Sequence, residues 1–393
     1  MRGPSPLGEG RVRALTPTLS PREREFGCLN TTFRLMARLA KLQKTVKDIG
    51  LDALLITHLP HIQYLINYTG SNGLLIVPAQ GKPHFFTDFR YKAQVRTEVV
   101  GAKISIVDRD RTIPDALVEK QLFSDYDHLG FEKNHISYSF YDFLRTKFRH
   151  VKLDPQIEVV EKLTMIKSEE EIEAIRKAAE IGDAVYDKVI PIIKPGVTER
   201  EVAAEIAYQT RLCGGEKEAF TIIVASGERS ALPHGAASDK KIRKGELVTL
   251  DFGCVYKGFN SDMTRTVSVG KVPTELQKIY EIVHTSQQRG IEKASAGMTA
   301  RELDSVCRDY ITLHGYGSKF GHSTGHGLGI EVHELPKVSQ RGERYKLEPN
   351  MVVTIEPGIY LEGQGGVRIE DDVVIRREGC EVLSSSPKEL RVL

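Results

Sequence analysis

Residues 247–253 of this chain read Leu-Val-Thr-Leu-Asp-Phe-Gly, and residues 352–358 read Val-Val-Thr-Ile-Glu-Pro-Gly. Each stretch is a short apolar run followed by an acid and a glycine. Apolar runs of this length with β-branched residues predict buried strands. The chain therefore places one carboxylate, Asp251 or Glu356, at the same point of two similar strands.

The similarity extends to the residues before each strand. Residues 194–201, Lys-Pro-Gly-Val-Thr-Glu-Arg-Glu, match residues 295–302, Ser-Ala-Gly-Met-Thr-Ala-Arg-Glu. In both, a Thr followed three residues later by a Glu predicts a capping box that begins a helix. The offsets of 105 and 101 residues keep the two copies nearly in register. A helix-then-strand unit used twice about a pseudo-two-fold axis would bring Asp251 and Glu356 to one centre.

A second acid, Asp262, follows Asp251 at a spacing that favours a shared site. Residues 247–256 and 261–269 predict two strands joined at Lys257-Gly258. A two-residue hairpin turn there places Asp251 opposite Thr264. Because side chains alternate between the faces of a strand, Asp251 and Asp262 then point the same way. The alternative is two solvated acids on an exposed sheet face, which the apolar run before Asp251 disfavours.

Three further segments hold a histidine or acid between residues that restrict the backbone or bury the strand. They are Gly-His326-Gly-Leu-Gly, Thr-Ile-Glu356-Pro-Gly and Arg-Ile-Glu370-Asp-Asp. Two like charges about 4 Å apart repel by roughly 4 kcal/mol at an effective dielectric constant of about 20. Four ionised carboxylates cannot share a buried site without compensation. We therefore predict a centre for two divalent cations.

These segments together resemble the pita-bread metallopeptidases, the fold of methionine aminopeptidase, aminopeptidase P and prolidase. The resemblance covers about residues 160–393, and a weaker likeness to the creatinase/aminopeptidase P amino-terminal domain covers about 36–150. It implies that Asp251 chelates one metal, that His326 and Glu356 hold the other, and that Asp262 and Glu370 bridge both. The implied fold class is α/β (α+β): a creatinase-like α/β domain followed by a pita-bread catalytic domain with pseudo-two-fold symmetry.

The resemblance also assigns roles to residues around the metals. Glu356 is expected to act as general base and proton shuttle, and His333 to stabilise the developing oxyanion. His234 and His322 are expected to line the substrate pocket. Arg368 is predicted to share a strand face with Glu370, where it would hold a substrate carboxylate or, alternatively, pair with one of the site's acids. His284 and His314 match no family position and are expected to be ordinary helix residues.

The part of the chain before residue 161 divides into two segments. Residues 36–160 alternate apolar strands with helical stretches and predict a small α/β domain. Met36 is predicted to open an amphipathic helix that buries Leu39, Leu42, Val46 and Ile49 and stops at Gly50. Residues 1–35 have no apolar period, which predicts either a misassigned upstream leader or a disordered tail. Residues 161–393 form the predicted catalytic domain.

The amino-acid composition limits the classes of molecule that the protein is expected to bind. Lys and Arg total 55 against 53 Asp and Glu, so neither nucleic acid nor a membrane surface is an expected partner. Five scattered cysteines without a Cys-x-x-Cys pair suit a reducing, cytoplasmic location. No apolar run reaches the roughly 18 residues of a membrane helix. The family resemblance, rather than the composition, implies a homodimer that acts on short proline-containing peptides.

The metal and the substrate remain open among related choices. Oxygen-rich ligation with one imidazole favours Mn²⁺, with Co²⁺ or Zn²⁺ as alternatives. The additional amino-terminal domain and the three histidines resemble the Xaa-Pro branch of the family. We predict an Xaa-Pro aminopeptidase. The alternatives are an Xaa-Pro dipeptidase (prolidase) and, more distantly, a non-catalytic protein that uses the same pocket for binding.

Overall fold

The structure is a computed structural model, which describes the backbone of residues 21–393 and the side chains from Thr32 onward. Contacts divide the chain into two compact units, with the division between Ile157 and Glu158. The predicted boundaries at residues 35 and 160 stay predictions, and residues 1–20 of the predicted leader lie outside the described part. Within that part, no helix is both long and apolar enough to cross a membrane.

The amino-terminal unit is built on a six-stranded sheet of order β4-β3-β2-β1-β5-β6. Its strands are β1 Ala53–Ile56, β2 Leu74–Pro78, β3 His84–Asp88, β4 Lys103–Val107, β5 His128–Glu132 and β6 Lys152–Gln156. β2 runs antiparallel to both neighbours, whereas β3 with β4, and β1 with β5 and β6, are parallel. The predicted α/β domain is thus confirmed, with β6 as a strand that the sequence did not reveal.

The helices of this unit are α1 Pro21–Asp48, α2 Leu59–Ile66, α3 Gln94–Glu98, α4 Ile113–Glu119 and α5 Tyr138–Lys147. The predicted start of the first helix at Met36 is wrong, because α1 begins at Pro21. Leu35, which was assigned to the leader, is buried together with the predicted Leu39, Leu42 and Val46. Ile49 lies past the end of α1 and is exposed, since the helix ends at Asp48 before Gly50.

The second unit contains α6 Glu161–Thr164, α7 Glu169–Val189, α8 Glu199–Leu212, α9 Thr274–Lys293 and α10 Ala300–Leu313. Capping boxes are present at the starts of α7, α8 and α10, and the last two are those predicted from the repeat. In each, the Ser or Thr side chain accepts from a backbone N–H one turn on, and the Glu accepts in return, which satisfies donors that a helix start leaves free. His284 lies in α9, as expected, whereas His314 lies just past the last residue of α10, at its C-cap.

The strands of the second unit form four small antiparallel sheets. They are β7 Lys217–Glu218, β8 Ile223–Ser226, β9 Glu246–Phe252, β10 Cys254–Tyr256, β11 Phe259–Asn260, β12 Met263–Val269, β13 Gly325–Gly327, β14 Glu334–Val338, β15 Val352–Ile355, β16 Gly358–Leu361, β17 Gly365–Arg368, β18 Asp371–Ile375 and β19 Cys380–Val382. The sheet orders are β12-β9-β8, β11-β10-β7, β14-β13-β15-β18-β19 and β16-β17.

The predicted hairpin register is confirmed, although the first predicted strand is split into β9 and β10, and the second begins at Met263 rather than at residue 261. Asp251 of β9 pairs with Thr264 of β12, and Tyr256 pairs with Phe259 across Lys257-Gly258. Both turn residues have positive φ, as a tight two-residue hairpin requires. β9 ends before Gly253, where a Cβ would lie 1.7 Å from the carbonyl oxygen of Ser261. The end of the hairpin, formed by β10 and β11, therefore belongs to a different sheet from β9 and β12.

The two halves of this unit correspond as predicted. α8 and α10 each span 14 residues, and each is followed by a strand, β9 or β15, that lies between two antiparallel neighbours. The capping threonines also make matching β-bridges, Thr198 with Lys241 and Thr299 with Lys346. The predicted fold class, with its pseudo-two-fold catalytic domain, is confirmed.

Candidate metal centre

The predicted ligands converge where the central strands of the two halves meet. Asp262, His326 and Glu370 are buried and offer ligand atoms within 4.8 Å of one another. Nε2 of His326 lies 3.4 Å from Oε1 of Glu356 and 3.7 Å from Oδ2 of Asp262. The negative charge of Asp251 raises the pKa of Asp262, Glu356 and Glu370, so it belongs to the same cluster.

Backbone hydrogen bonds hold the acids that lie outside regular strands. The N–H of Asp262 donates to Oδ2 of Asp372 across 2.9 Å, and that of Glu370 donates to the carbonyl of Thr264 across 3.1 Å. Thr264 also donates from its hydroxyl to Oε2 of Glu370 at 2.5 Å. Both acids lie in short connections between strands, where side chains no longer alternate regularly between two faces. These hydrogen bonds therefore set the direction of the two carboxylates.

His326 and Glu356 are held by a shared threonine. Oγ1 of Thr354 accepts the backbone N–H of His326 at 3.1 Å and lies 3.4 Å from Oε1 of Glu356. Nδ1 of His326 lies 3.0 Å from the carbonyl oxygen of Gly327, an arrangement that places the proton on Nδ1. Nε2 is then a free lone pair facing the acids, which is the form in which imidazole binds a metal.

The acids raise one another's pKa. Burial, reinforced by neighbouring carboxylates, raises the pKa of Asp262 and Glu370 well above their ordinary values. Burial raises the pKa of Glu356 to about 8, although Arg368 opposes the shift. Burial and the charge of His333 lower the pKa of His326 to about 4, so the imidazole is neutral at pH 7. Without a cation this group of acids retains protons at neutral pH.

The donor set fits divalent cations. Oδ1 of Asp251 and Oδ1 of Asp262 are buried with no hydrogen-bond partner among the described residues. A buried carboxylate oxygen without a partner is costly, and a bound cation removes that cost. The set comprises carboxylate oxygens and one imidazole, without thiolate, which suits Mn²⁺ and related ions.

Arg368 does not occupy the place that the sequence predicted. β17 ends at Arg368 and β18 begins at Asp371, so Arg368 and Glu370 do not share one strand. The guanidinium is nevertheless buried in the site, where Nη2 donates to Oδ2 of Asp251 across 2.6 Å. Nε donates to Thr264 at 3.0 Å, and Nη1 donates to Tyr360 at 2.9 Å. The geometry favours the second interpretation, in which Arg368 pairs with an acid of the site.

Tyr360 links Arg368 to His322. Its hydroxyl oxygen lies 2.8 Å from Nε2 of His322, whose Nδ1 lies 2.8 Å from the carbonyl oxygen of Ser323. The hydroxyl thus accepts from Arg368 and donates to Nε2, while Nδ1–H donates to the carbonyl. Burial raises the pKa of Tyr360 to about 12, and burial with the charge of Arg368 lowers that of His322 to about 4. Because both ring nitrogens are engaged, His322 offers a substrate its ring face.

His333 and His234 have different surroundings. Both are exposed. The His333 ring centroid lies 4.4 Å from that of His326. Although part of the His333 side chain reaches solvent, the protein removes water from part of the ring, and this desolvation together with the charge of His234 lowers the pKa of His333. The imidazole is therefore neutral at pH 7 and offers one N–H. His234 also contributes to the lowered pKa of His322, and Nδ1 of His322 lies 3.9 Å from Oε2 of Glu356.

Sequence reasoning did not identify Lys337. It lies in β14 directly opposite His326 of β13, so the two side chains share a face. Its positive charge lowers the pKa of both His326 and His333. Among the residues that the structure describes, no carboxylate pairs with Lys337, and the side chain is exposed. No local motif signals this residue, because its position depends on strand pairing across the 327–333 loop.

Known proteins identify the family to which this site belongs. Residues 173–377 match the metallopeptidase family M24, and residues 38–166 match the creatinase/prolidase N-terminal domain. The chain belongs to metallopeptidase family M24. As an M24 metallopeptidase it is an enzyme, and membership implies divalent metal ions in the centre described above. The family resemblance inferred from the sequence is confirmed.

Three relatives of this M24 metallopeptidase indicate its branch. It is 40% identical to the Xaa-Pro dipeptidase of Pyrococcus furiosus, over 90% of this chain and 99% of the relative. The structure of the Xaa-Pro dipeptidase from Bacillus anthracis superimposes with a TM-score of 0.87 at 43% identity, covering 91% and 100% of the two chains. That of the X-Pro aminopeptidase from Thermotoga maritima gives 0.80 at 38% identity, covering 88% and 98%.

Proposed function

We propose that this M24 metallopeptidase is an Xaa-Pro dipeptidase, which hydrolyses the bond before proline in a free dipeptide. The observation that carries the proposal is the exposed ammonium of Lys337, which shares a face with His326 and has no carboxylate partner in the described part of the chain. A dipeptidase must recognise the free carboxylate that lies one residue beyond the scissile bond. Lys337 supplies a cation for it.

Arg368 is less suited to that task. All three of its nitrogens donate to protein oxygens, and its charge is already matched by Asp251. Binding a substrate carboxylate would require this buried pair to separate, which leaves Asp251 uncompensated. The two dipeptidases among the three relatives support the same choice, whereas the aminopeptidase interpretation made from the sequence is not confirmed.

Different residues around the metal centre act in different steps of the hydrolysis. Bound divalent ions would supply a water that is nucleophilic near neutral pH and would polarise the scissile carbonyl. Glu356 then takes the proton of the attacking water and delivers it to the proline nitrogen as the C–N bond breaks. A general base in this role contributes about 10²- to 10⁴-fold.

The histidines complete the pocket. The neutral imidazole of His333 donates its N–H to the developing oxyanion. His234 is free of protein hydrogen bonds in the described structure and is available to the substrate. His322 contributes its ring face to the proline pocket and, through Tyr360, fixes the guanidinium of Arg368. Proline suits such a pocket because it has no amide N–H and its φ is fixed.

The deciding experiment compares three substrates with the manganese-loaded enzyme. We expect kcat/KM for Ala-Pro to exceed that for Ala-Pro-amide and Ala-Pro-Ala by at least about tenfold, since one charge-assisted contact contributes about 1.5–3 kcal/mol. Equal or faster hydrolysis of Ala-Pro-Ala would identify an aminopeptidase instead. Preference for Met-Ala-Ser over all three would remove the Xaa-Pro assignment, and no hydrolysis of any peptide would favour a binding protein.

A variant of Lys337 tests the residue itself. We expect Lys337→Met to raise KM for Ala-Pro about 10- to 100-fold while KM for Ala-Pro-amide changes little. Lys337→Arg should retain most of the affinity. Lys293→Met, at the exposed end of α9, is the matched control and should leave both values unchanged. An equal effect of Lys337→Met on acid and amide would contradict the assignment.

Three features of the sequence interpretation stay proposals. Mn²⁺ as the native ion, with two ions per chain, is supported by the oxygen-rich donor set. The homodimer and the cytoplasmic location remain predictions.

A further inference from the structure

The loop that carries His234 is tied to a carboxylate from another element. Glu199, the first residue of α8, is fully buried. It accepts from N and Oγ of Ser226 at 2.7 and 2.9 Å, and from N and Oγ of Ser238 at 3.1 and 2.6 Å. Nε of Arg229 donates to it at 3.0 Å. One carboxylate thus joins both ends of the 226–238 loop, in which His234 stands.

The loop that carries His322 is held in a similar way. Asp304 of α10 is fully buried and receives two hydrogen bonds, of 2.7 and 2.8 Å, from Arg308. Arg308 donates in turn to the carbonyl of His322 across 2.7 Å. Asp304 also accepts from N and Oγ1 of Thr324 at 3.1 and 2.8 Å, and the carbonyl of Thr324 accepts the N–H of Glu356 at 2.8 Å. This pair therefore fixes both His322 and the general base.

The loop that carries His333 ends at a third buried carboxylate. Glu334 accepts from Nζ of Lys167 at 2.9 Å and from the backbone N–H of Glu331 at 3.1 Å. The side chains of Lys167 and Glu334 are only 2% and 4% exposed. Lys167 is itself anchored, because its N–H donates to the carbonyl of Asn350 across 2.9 Å. The ion pair thus closes the short loop that presents His333.

The three loops share one arrangement. Each histidine lies in irregular backbone, and each loop is held by a buried carboxylate that is paired with a cation. We propose that Glu199, Asp304 and Glu334 are positioning residues, each setting the place of one site histidine. Loops carry function when a rigid scaffold holds them. The inference rests on the proposed function, since the histidines affect turnover only if the protein hydrolyses peptides.

The test combines a substitution of each carboxylate with a substitution of each histidine in double variants. Glu199→Gln, Asp304→Asn and Glu334→Gln are made alone and together with alanine at position 234, 322 or 333, and kcat and KM for Ala-Pro are measured. We expect each single substitution to lower kcat/KM about tenfold, within the range of coupling between contacting groups. For Glu199→Gln and Glu334→Gln the loss should vanish when the matched histidine is already alanine and persist when either other histidine is replaced. For Asp304→Asn, which also releases Thr324 and through it Glu356, the loss should shrink in the His322→Ala background and stay complete in the other two.

A matched control separates positioning from stability. Asp52 accepts the backbone N–H groups of Asp127 and His128, both at 2.8 Å, within the amino-terminal unit. Asp52→Asn should lower Tm yet change kcat/KM less than about twofold, with the same small effect in every histidine background. If a carboxylate variant does not fold, a milder change replaces it: Ser238→Ala, Arg308→Lys or Lys167→Gln.

A readout without catalysis distinguishes a failure of the inference from a failure of the proposed function. In metal-free protein with ¹³Cε1-labelled histidine, Asp304→Asn should shift the ring signal of His322 and leave that of His234 in place. Glu199→Gln should do the reverse, and Glu334→Gln should move only His333. If wild-type protein hydrolyses no peptide, the proposed function fails and these spectra decide the inference. Losses that are equal in all histidine backgrounds, or spectra without selective shifts, would overturn it.

Discussion

Arg368 and Asp251 form a buried ion pair beside the acids of the metal centre. Nη2 of Arg368 lies 2.6 Å from Oδ2 of Asp251, and the side chains are only 4% and 11% exposed. The other oxygen of Asp251 is buried without a hydrogen-bond partner among the described residues. One oxygen of Asp251 is thus paired with a cation of the protein, and the other has no protein partner, so the pair orients a carboxylate that would hold a divalent cation.

Replacing Arg368 should therefore affect the metal-free protein most. Arg368→Met leaves a buried carboxylate uncompensated, which typically costs about 3–5 kcal/mol. Added Mn²⁺ should recover a large part of that loss, because cations neutralise the same acids. Chemical denaturation with and without Mn²⁺ measures both values. Arg376→Met, at a partly exposed pair with Glu381, should cost no more than about 1 kcal/mol in either form. An equal loss with and without metal would contradict the expected role.

Glu356→Gln should nearly abolish turnover without unfolding the protein. The amide keeps the size of the side chain but cannot take a proton, and it removes one ligand charge. We expect kcat to fall at least about 10²-fold. Glu348→Gln, an exposed acid just before β15, serves as the control and should turn over normally. A metal-replete Glu356→Gln enzyme with near-normal kcat would exclude Glu356 as the base.

The number of bound metal ions per chain should fall when a predicted ligand is replaced. Reconstituted protein should hold close to two divalent ions per chain by elemental analysis, since two ions balance the four acids. Each site saturated at 100 times its Kd should add about 2.7 kcal/mol to the free energy of unfolding. His326→Ala should lower the ion count, whereas His314→Ala, past the end of α10, should not. No bound metal after reconstitution would remove the metallopeptidase mechanism.

The stability of the metal-free protein should fall as pH rises from 6.5 to 8. In the unfolded chain Glu356 ionises near pH 4.5, but burial raises its native pKa to about 8, so the native state retains a proton across this window. A state that binds more protons is stabilised at low pH and loses about 1.4 kcal/mol per pH unit for each proton retained. The buried histidines act in the opposite direction only below about pH 6.5, because their native pKa values are lowered.

Denaturation at three pH values in EDTA-treated protein measures this slope. Saturating Mn²⁺ should abolish it, because ion binding displaces the retained protons. A metal-free stability that is constant or rises between pH 6.5 and 8 would show that the acids are already ionised.

The local sequence was sufficient to predict a structural feature wherever the residues that form the feature lie close together in the chain. The capping boxes at Ser168, Thr198 and Thr299 depend on residues three apart, and all three are present. The register of Asp251 with Thr264 depends on a two-residue turn between adjacent strands. The predicted start of α1 is wrong because Leu35 continues the buried stripe of Leu39, Leu42 and Val46, and because a helix can extend beyond its buried stripe.

The ligand segments and the repeat of 247–253 at 352–358 were therefore determined by the sequence itself. The contacts between segments far apart in the chain could be found only in the tertiary structure. Arg368 reaches Asp251 across 117 residues, and Lys167 reaches Glu334 across 167. Such partners leave no local pattern, because burial and charge balance act on neighbours in space. The sequence thus predicted which groups bind metal, whereas only packing decided which groups hold them in place.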